Sequence, residues 1–141
     1  MLEFIIFNQQ GIFYLFLAIL SAFFVKMTDL QVDDNKKFFF REFKFITALA
    51  YGSLFGYLIH ADARFGAIII GIILANAIGK KFDDISHLLA IAPLILMPFL
   101  LGMPNLNFII LAVFFISAFF DEKMHDSIEK PKKKHKLFII L

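Results

Sequence analysis

Carboxylates and histidines recur in three short groups along this chain: Asp29, Asp33 and Asp34; then Asp83, Asp84 and His87; then Asp121, Glu122, His125 and Asp126. In the second and third groups a carboxylate precedes a histidine by three residues, Asp84 with His87 and Glu122 with His125, a spacing that puts both side chains on one face of a helix. Oxygen and imidazole ligands so placed suit zinc, manganese or iron, and dinuclear carboxylate sites use a related pattern in helical bundles. The candidate metal set is therefore Asp83, Asp84, His87, Glu122 and His125. With Lys80 and Lys81 beside them, the same carboxylates could hold magnesium against a lipid phosphate or diphosphate. The plainer reading is that these are solvated polar loops, because charge runs usually are. Cysteine is absent, which excludes disulfides, thiolate metal sites and a cysteine nucleophile.

The elements that would position these groups are apolar. Of 141 residues, 60% are hydrophobic and 21 are Phe, and the mean hydropathy is +0.81. A soluble domain of this length cannot bury so much apolar surface, so lipid is the expected solvent. Five apolar runs stand out: Gly11 to Val25, Phe45 to Ile59, Phe65 to Gly79, Leu88 to Leu101 and Phe108 to Phe120. Each falls short of the roughly 20 residues that span a bilayer. Phe residues flanking the first two lengthen them at the headgroup level. The segment from Met1 to Gln10 carries Glu3 and no Lys or Arg, so the first run reads as a retained membrane helix and not a secretory signal. The expected fold is all-α, a polytopic transmembrane bundle of about five spans over residues 1–126. The alternative makes the last two runs a re-entrant hairpin around the uncharged turn Gly102 to Asn107, leaving three full spans.

Orientation follows from the cations. Lys and Arg number five between Lys26 and Lys44, one at Arg64, two at Lys80 and Lys81, and six beyond Asp121. Five spans place thirteen on one face and one on the other, which by the positive-inside rule predicts an N-terminus outside and a cytoplasmic C-terminus in a cell membrane. Residues 127–141 form a basic tail with five lysines from Lys130 to Lys136 and the apolar end Leu137 to Leu141, suited to anionic headgroups or else solvated. A net charge of +2 gives no case for nucleic acid.

Small residues recur every four positions in the middle runs: Ala48, Gly52 and Gly56, then Ala67, Gly71, Ala75 and Gly79. That spacing keeps each set on one helix face, where small side chains let backbones approach in lipid. Because only His60 to Arg64 separates the runs, they are expected to form an antiparallel hairpin with Gly56 facing Ala67, Gly52 facing Gly71 and Ala48 facing Ala75. The same register sets Thr47 opposite Asn76. Asp62 and Arg64 are expected to pair locally at the turn, and Pro93 and Pro98 to kink the fourth helix.

Two functions fit this sequence better than a third, a small transporter, for which only Asn76 is clearly polar at bilayer depth. One is a non-enzymatic membrane subunit or scaffold, associating with itself or a membrane protein partner through its small-residue faces. The other is a divalent-metal-dependent enzyme acting on a lipid headgroup or lipid phosphate at the cytoplasmic face.

Overall fold

The computed structural model describes residues 9–32, 40–79 and 84–137, with side chains omitted at 122 and from 125 onward. Among the described residues there are five α-helices and no strand: α1 (Gln9–Val32), α2 (Phe43–Ala61), α3 (Ala63–Ile78), α4 (Ile85–Leu101) and α5 (Phe108–Leu137). One helix therefore matches each apolar run. By length and composition α1 is long and apolar enough to cross a membrane, whereas α3, α4 and the Phe108–Asp121 part of α5 are apolar but shorter.

Two breaks between helices have visible causes. Between α2 and α3, Asp62 leaves helical geometry at φ −145° and ψ 124°, and its carboxylate accepts from the backbone N–H groups of Arg64 and Phe65. Those donors have no partner inside a helix, so the aspartate caps α3 as α2 ends. After α4, Gly102 takes a φ of +107°, which a residue with a Cβ adopts only with strain. The Asn107 side chain then accepts from the N–H groups of Ile109 and Ile110 and starts α5.

Helix α2 is central, packed against α1, α3 and α4, while α5 packs against α3. Leu17 of α1, Leu58 and Ile59 of α2, Ile69 of α3 and Leu94 of α4 form the main buried cluster. Ala48 and Tyr51 of α2 close a second one with Ala90 of α4. Helix α4 runs the length of α2 in the same direction, tied at one end by Lys44 to Asp84 and at the other by His60 to the Gly102 carbonyl. We refer to these as the Lys44 end and the Asp62 end.

Apart from Gly79 the small residues are buried, yet the glycines of the α2 and α3 stripes face later helices and not each other as expected. A Cβ on Gly52 would lie 2.2 Å from the carbonyl oxygen of Ala90, and one on Gly56 would lie 2.7 Å from that of Pro93, both on α4. A Cβ on Gly71 would lie 2.7 Å from the Leu111 carbonyl oxygen on α5. Each stripe thus receives a helix later in the chain. Ala48, Ala67 and Ala75 are fully buried, and Gly79 caps α3. Thr47 meets Thr28 of α1 at 2.8 Å instead of Asn76. The lysine-rich stretch, expected as a separate tail, continues α5 to Leu137.

Candidate functional site

At the Lys44 end, α1, α2 and the start of α4 bring their polar residues together. Asp84 precedes α4 in extended geometry, φ −96° and ψ 141°, so its carboxylate turns back and accepts from the Ser86 N–H at 2.8 Å and from the Ser86 hydroxyl. Lys44 reaches the same carboxylate at 3.1 and 3.3 Å. Burial pushes the Asp84 carboxyl up, but the Ser86 hydroxyl and N–H and the Lys44 ammonium outweigh it and bring the pKa down to about 2. Lys44 also lies over the Phe45 ring, 5.4 Å from its centroid.

One turn into α4, His87 stands between two other helices. Its Nδ1 is 2.9 Å from the Tyr51 hydroxyl on α2, and its Nε2 is 3.6 Å from a carboxylate oxygen of Asp29 on α1. The second distance is an ion contact, too long for a good hydrogen bond. A carboxylate facing Nε2 favours the proton on that nitrogen, so in the neutral ring Nδ1 accepts from the tyrosine hydroxyl. Tyr51 is itself buried against Phe55, with ring centroids 6.2 Å apart.

Below this group the α1–α2 seam remains polar. Ser21, Thr28, Gln31 and Thr47 are all buried. The Ser21 hydroxyl donates to the Leu17 carbonyl at 2.7 Å, and the Gln31 amide donates to the Met27 carbonyl at 3.2 Å. Such bonds back to the preceding turn satisfy the side chain inside its own helix. Among the described residues, no buried side-chain nitrogen or oxygen lacks a hydrogen-bond partner.

Of the candidate metal set, Asp84 and His87 lie close together but are directed apart, Asp84 toward Lys44 and Ser86, His87 toward Tyr51 and Asp29. The acidic groups after the first and third apolar runs do converge, through Asp29 and His87. Asp83 lies outside the described residues, as do the side chains of Glu122 and His125, although both of the latter positions are on α5. Among the described residues no group of three or more His, Asp or Glu is arranged to hold a metal. Tyr51 and Lys44 complete the cluster without belonging to any motif. The arrangement is a hydroxyl–imidazole–carboxylate series beside an ion pair, and it braces three helices at one end.

At the Asp62 end, His60 Nδ1 donates to the Gly102 carbonyl at 2.8 Å. The expected local pair is present, with Arg64 Nη2 2.9 Å from Asp62. Hydrogen bonds from Arg64 hold the Asp62 carboxyl below its ordinary value, and the carboxylate in turn raises the guanidinium. Comparison with protein-family models, curated proteins and solved structures finds no match.

Proposed function

We propose that this chain is an integral membrane protein of the cell membrane, crossing it five times with the N-terminus outside and the C-terminal segment in the cytoplasm, and that it serves as a non-enzymatic membrane subunit or scaffold. The observation that carries the membrane reading is an inverted burial pattern. Ser21, Thr28 and Ser86 are 0% exposed, while Phe99 is 78%, Phe108 77% and Ile109 77% exposed. Water would favour the reverse, because exposed apolar surface on that scale is unfavourable in water and neutral in lipid. Buried hydroxyls bonded to carbonyls one turn back are also the economical arrangement where no water competes. The cation count adds the sidedness: the Lys44 end, at the cytoplasmic surface, takes thirteen of the fourteen Lys and Arg residues, and Arg64 alone is outside. The α5 extension then carries its lysines toward anionic headgroups.

The non-enzymatic reading is supported by the engagement of the polar cluster. Both ring nitrogens of His87 and both carboxylate oxygens of Asp84 already face protein partners. A metal-dependent lipid-phosphate enzyme would need Asp84 and His87 to leave those partners. The glycine stripes pack within the chain, so a second copy or another membrane protein would dock on the outer faces.

The chain has no cysteine, which makes single-cysteine labelling clean. A cysteine at Ala63 should react with an impermeant external reagent, and cysteines at Asp34 and Ser127 should react only after the membrane is permeabilised. External labelling at Asp34 would sink the orientation. Native mass spectrometry from mild detergent should find no stoichiometric metal, and a bound divalent ion would move the assignment to the lipid-phosphate enzyme.

A further inference from the structure

We propose that this protein is built for a bilayer with a thin hydrocarbon core and draws the lipid around it inward where the membrane is of ordinary thickness. The inference rests on the membrane-spanning reading above. Its basis is that all five helices carry an apolar stretch of nearly the same short length: fifteen residues in α1 and α2, fourteen in α3 and α4 and thirteen in α5. At roughly 1.5 Å per residue these are about 20 to 22 Å long, against about 30 Å for the hydrocarbon of a typical bilayer. One short helix is common; five of matching length define a band.

The side-chain contacts turn this pattern into a fixed thickness. At the Lys44 end, the ion pair from Lys44 to Asp84 and the contact from His87 to Asp29 hold the polar boundaries of α1, α2 and α4 side by side. At the Asp62 end, His60 on the Gly102 carbonyl and Arg64 on Asp62 do the same for α2, α3 and α4. Leu106, just before α5, lies against Gly66 of α3. Helices α2 and α4 are therefore pinned at both levels, with α1 fastened to them at one and α3 and α5 at the other, which opposes sliding that would lengthen the apolar band. Tilting would only shorten its projection on the membrane normal. Lys26 is exposed and long enough to reach outward from a deeper position. Asp29 and Asp84 are too short to do so, and they face His87 and Lys44. Between the two levels the surface is Ile, Leu and Phe, including Ile46 and Leu49 on α2, and Ile95, Leu96 and Phe99 on α4.

The test reconstitutes the whole chain into vesicles of a single phosphatidylcholine, in a series from dimyristoleoyl through dioleoyl to dierucoyl chains. Flotation measures insertion, and circular dichroism follows thermal unfolding. The unfolding midpoint should be highest in the dimyristoleoyl or dipalmitoleoyl vesicles and fall by at least about 5 °C toward dierucoyl, since each ångström of mismatch carries a cost. A protein that floats with every vesicle but shows a flat series, or a maximum in the longest chains, overturns the thin-band inference while leaving the membrane reading in place. Failure to float with any vesicle overturns the membrane reading, and the inference with it.

Discussion

His87 Nδ1 and the Tyr51 hydroxyl are 2.9 Å apart across the α2–α4 interface, and the opposite face of the same imidazole meets Asp29 of α1. One ring thus joins three helices whose sequence positions are far apart. Tyr51→Phe leaves the ring packing in place but strands a buried acceptor. It should destabilise the bundle by about 1 to 2 kcal/mol. Asp29→Asn should cost less, and the double variant should cost less than the sum, since both changes act through His87. Unfolding in mild detergent measures all three. Strict additivity would show that the series does not act as a unit.

The glycine contacts separate two packing schemes. Gly52→Ala drives a Cβ onto the Ala90 carbonyl, and neither backbone can move aside without opening the interface. A loss of about 1 to 3 kcal/mol is expected, with a similar loss for Gly71→Ala, where α3 meets α5. Gly11→Ala, where nothing lies within 4 Å, should be neutral or stabilise by up to about 1 kcal/mol through helix propensity. Unchanged unfolding midpoints in both the Gly52→Ala and the Gly71→Ala proteins would argue against these close approaches.

Acid should weaken the α2–α4 attachment. The Asp84 carboxyl, ordinarily near 3.8, is held at about 2, so its pairing favours the folded chain fully only above about pH 4 and is lost as pH falls toward about 2. Asp62 is depressed in the same direction. The unfolding midpoint should drop over that range. Asp84→Asn should lower it at neutral pH and make the acid-induced drop shallower without abolishing it, because Asp62 still titrates. An unchanged pH profile in the Asp84→Asn protein would exclude this attribution.

Thr28 and Thr47 offer a probe of the α1–α2 seam. Either threonine replaced by valine removes one side of a buried 2.8 Å bond, at a cost of about 0.5 to 1.5 kcal/mol. Replacing both should cost little more than replacing one, because a single change already removes the bond across the seam and leaves the other hydroxyl only its bond within its own helix. A double variant with twice the single loss would argue against a shared bond.

The number of helices and their order were legible because apolar runs and charged breaks are local signals. Helix partners were not. A spacing of four residues tells which face of α2 is smooth, but not whether α3 or α4 will occupy it, and Ala90 and Pro93 expose carbonyls that no small-residue pattern announces. Asp84 and His87 show a second limit. Their spacing of three implies one helix face only if both are helical, and Asp84 is an extended cap whose side chain serves the helix end. The pairing of Asp62 with Arg64 was visible because it depends on adjacent residues. Tyr51 and Lys44 gave no signal, since each meets its partner across 36 or 40 positions of sequence.

The placement of α4 and α5 on two different faces of an earlier hairpin bears on how the chain assembles during synthesis. Once α2 and α3 have been made, the receiving surfaces for everything that follows already exist: Gly52 and Gly56 await α4, and Gly71 awaits α5. Helix α1 docks as soon as α2 emerges. Each helix from α2 onward finds a partner already made, so the order of translation and the order of packing coincide, and a ribosome-bound chain released after residue 79 would already hold the template on which its missing half, supplied separately, could assemble.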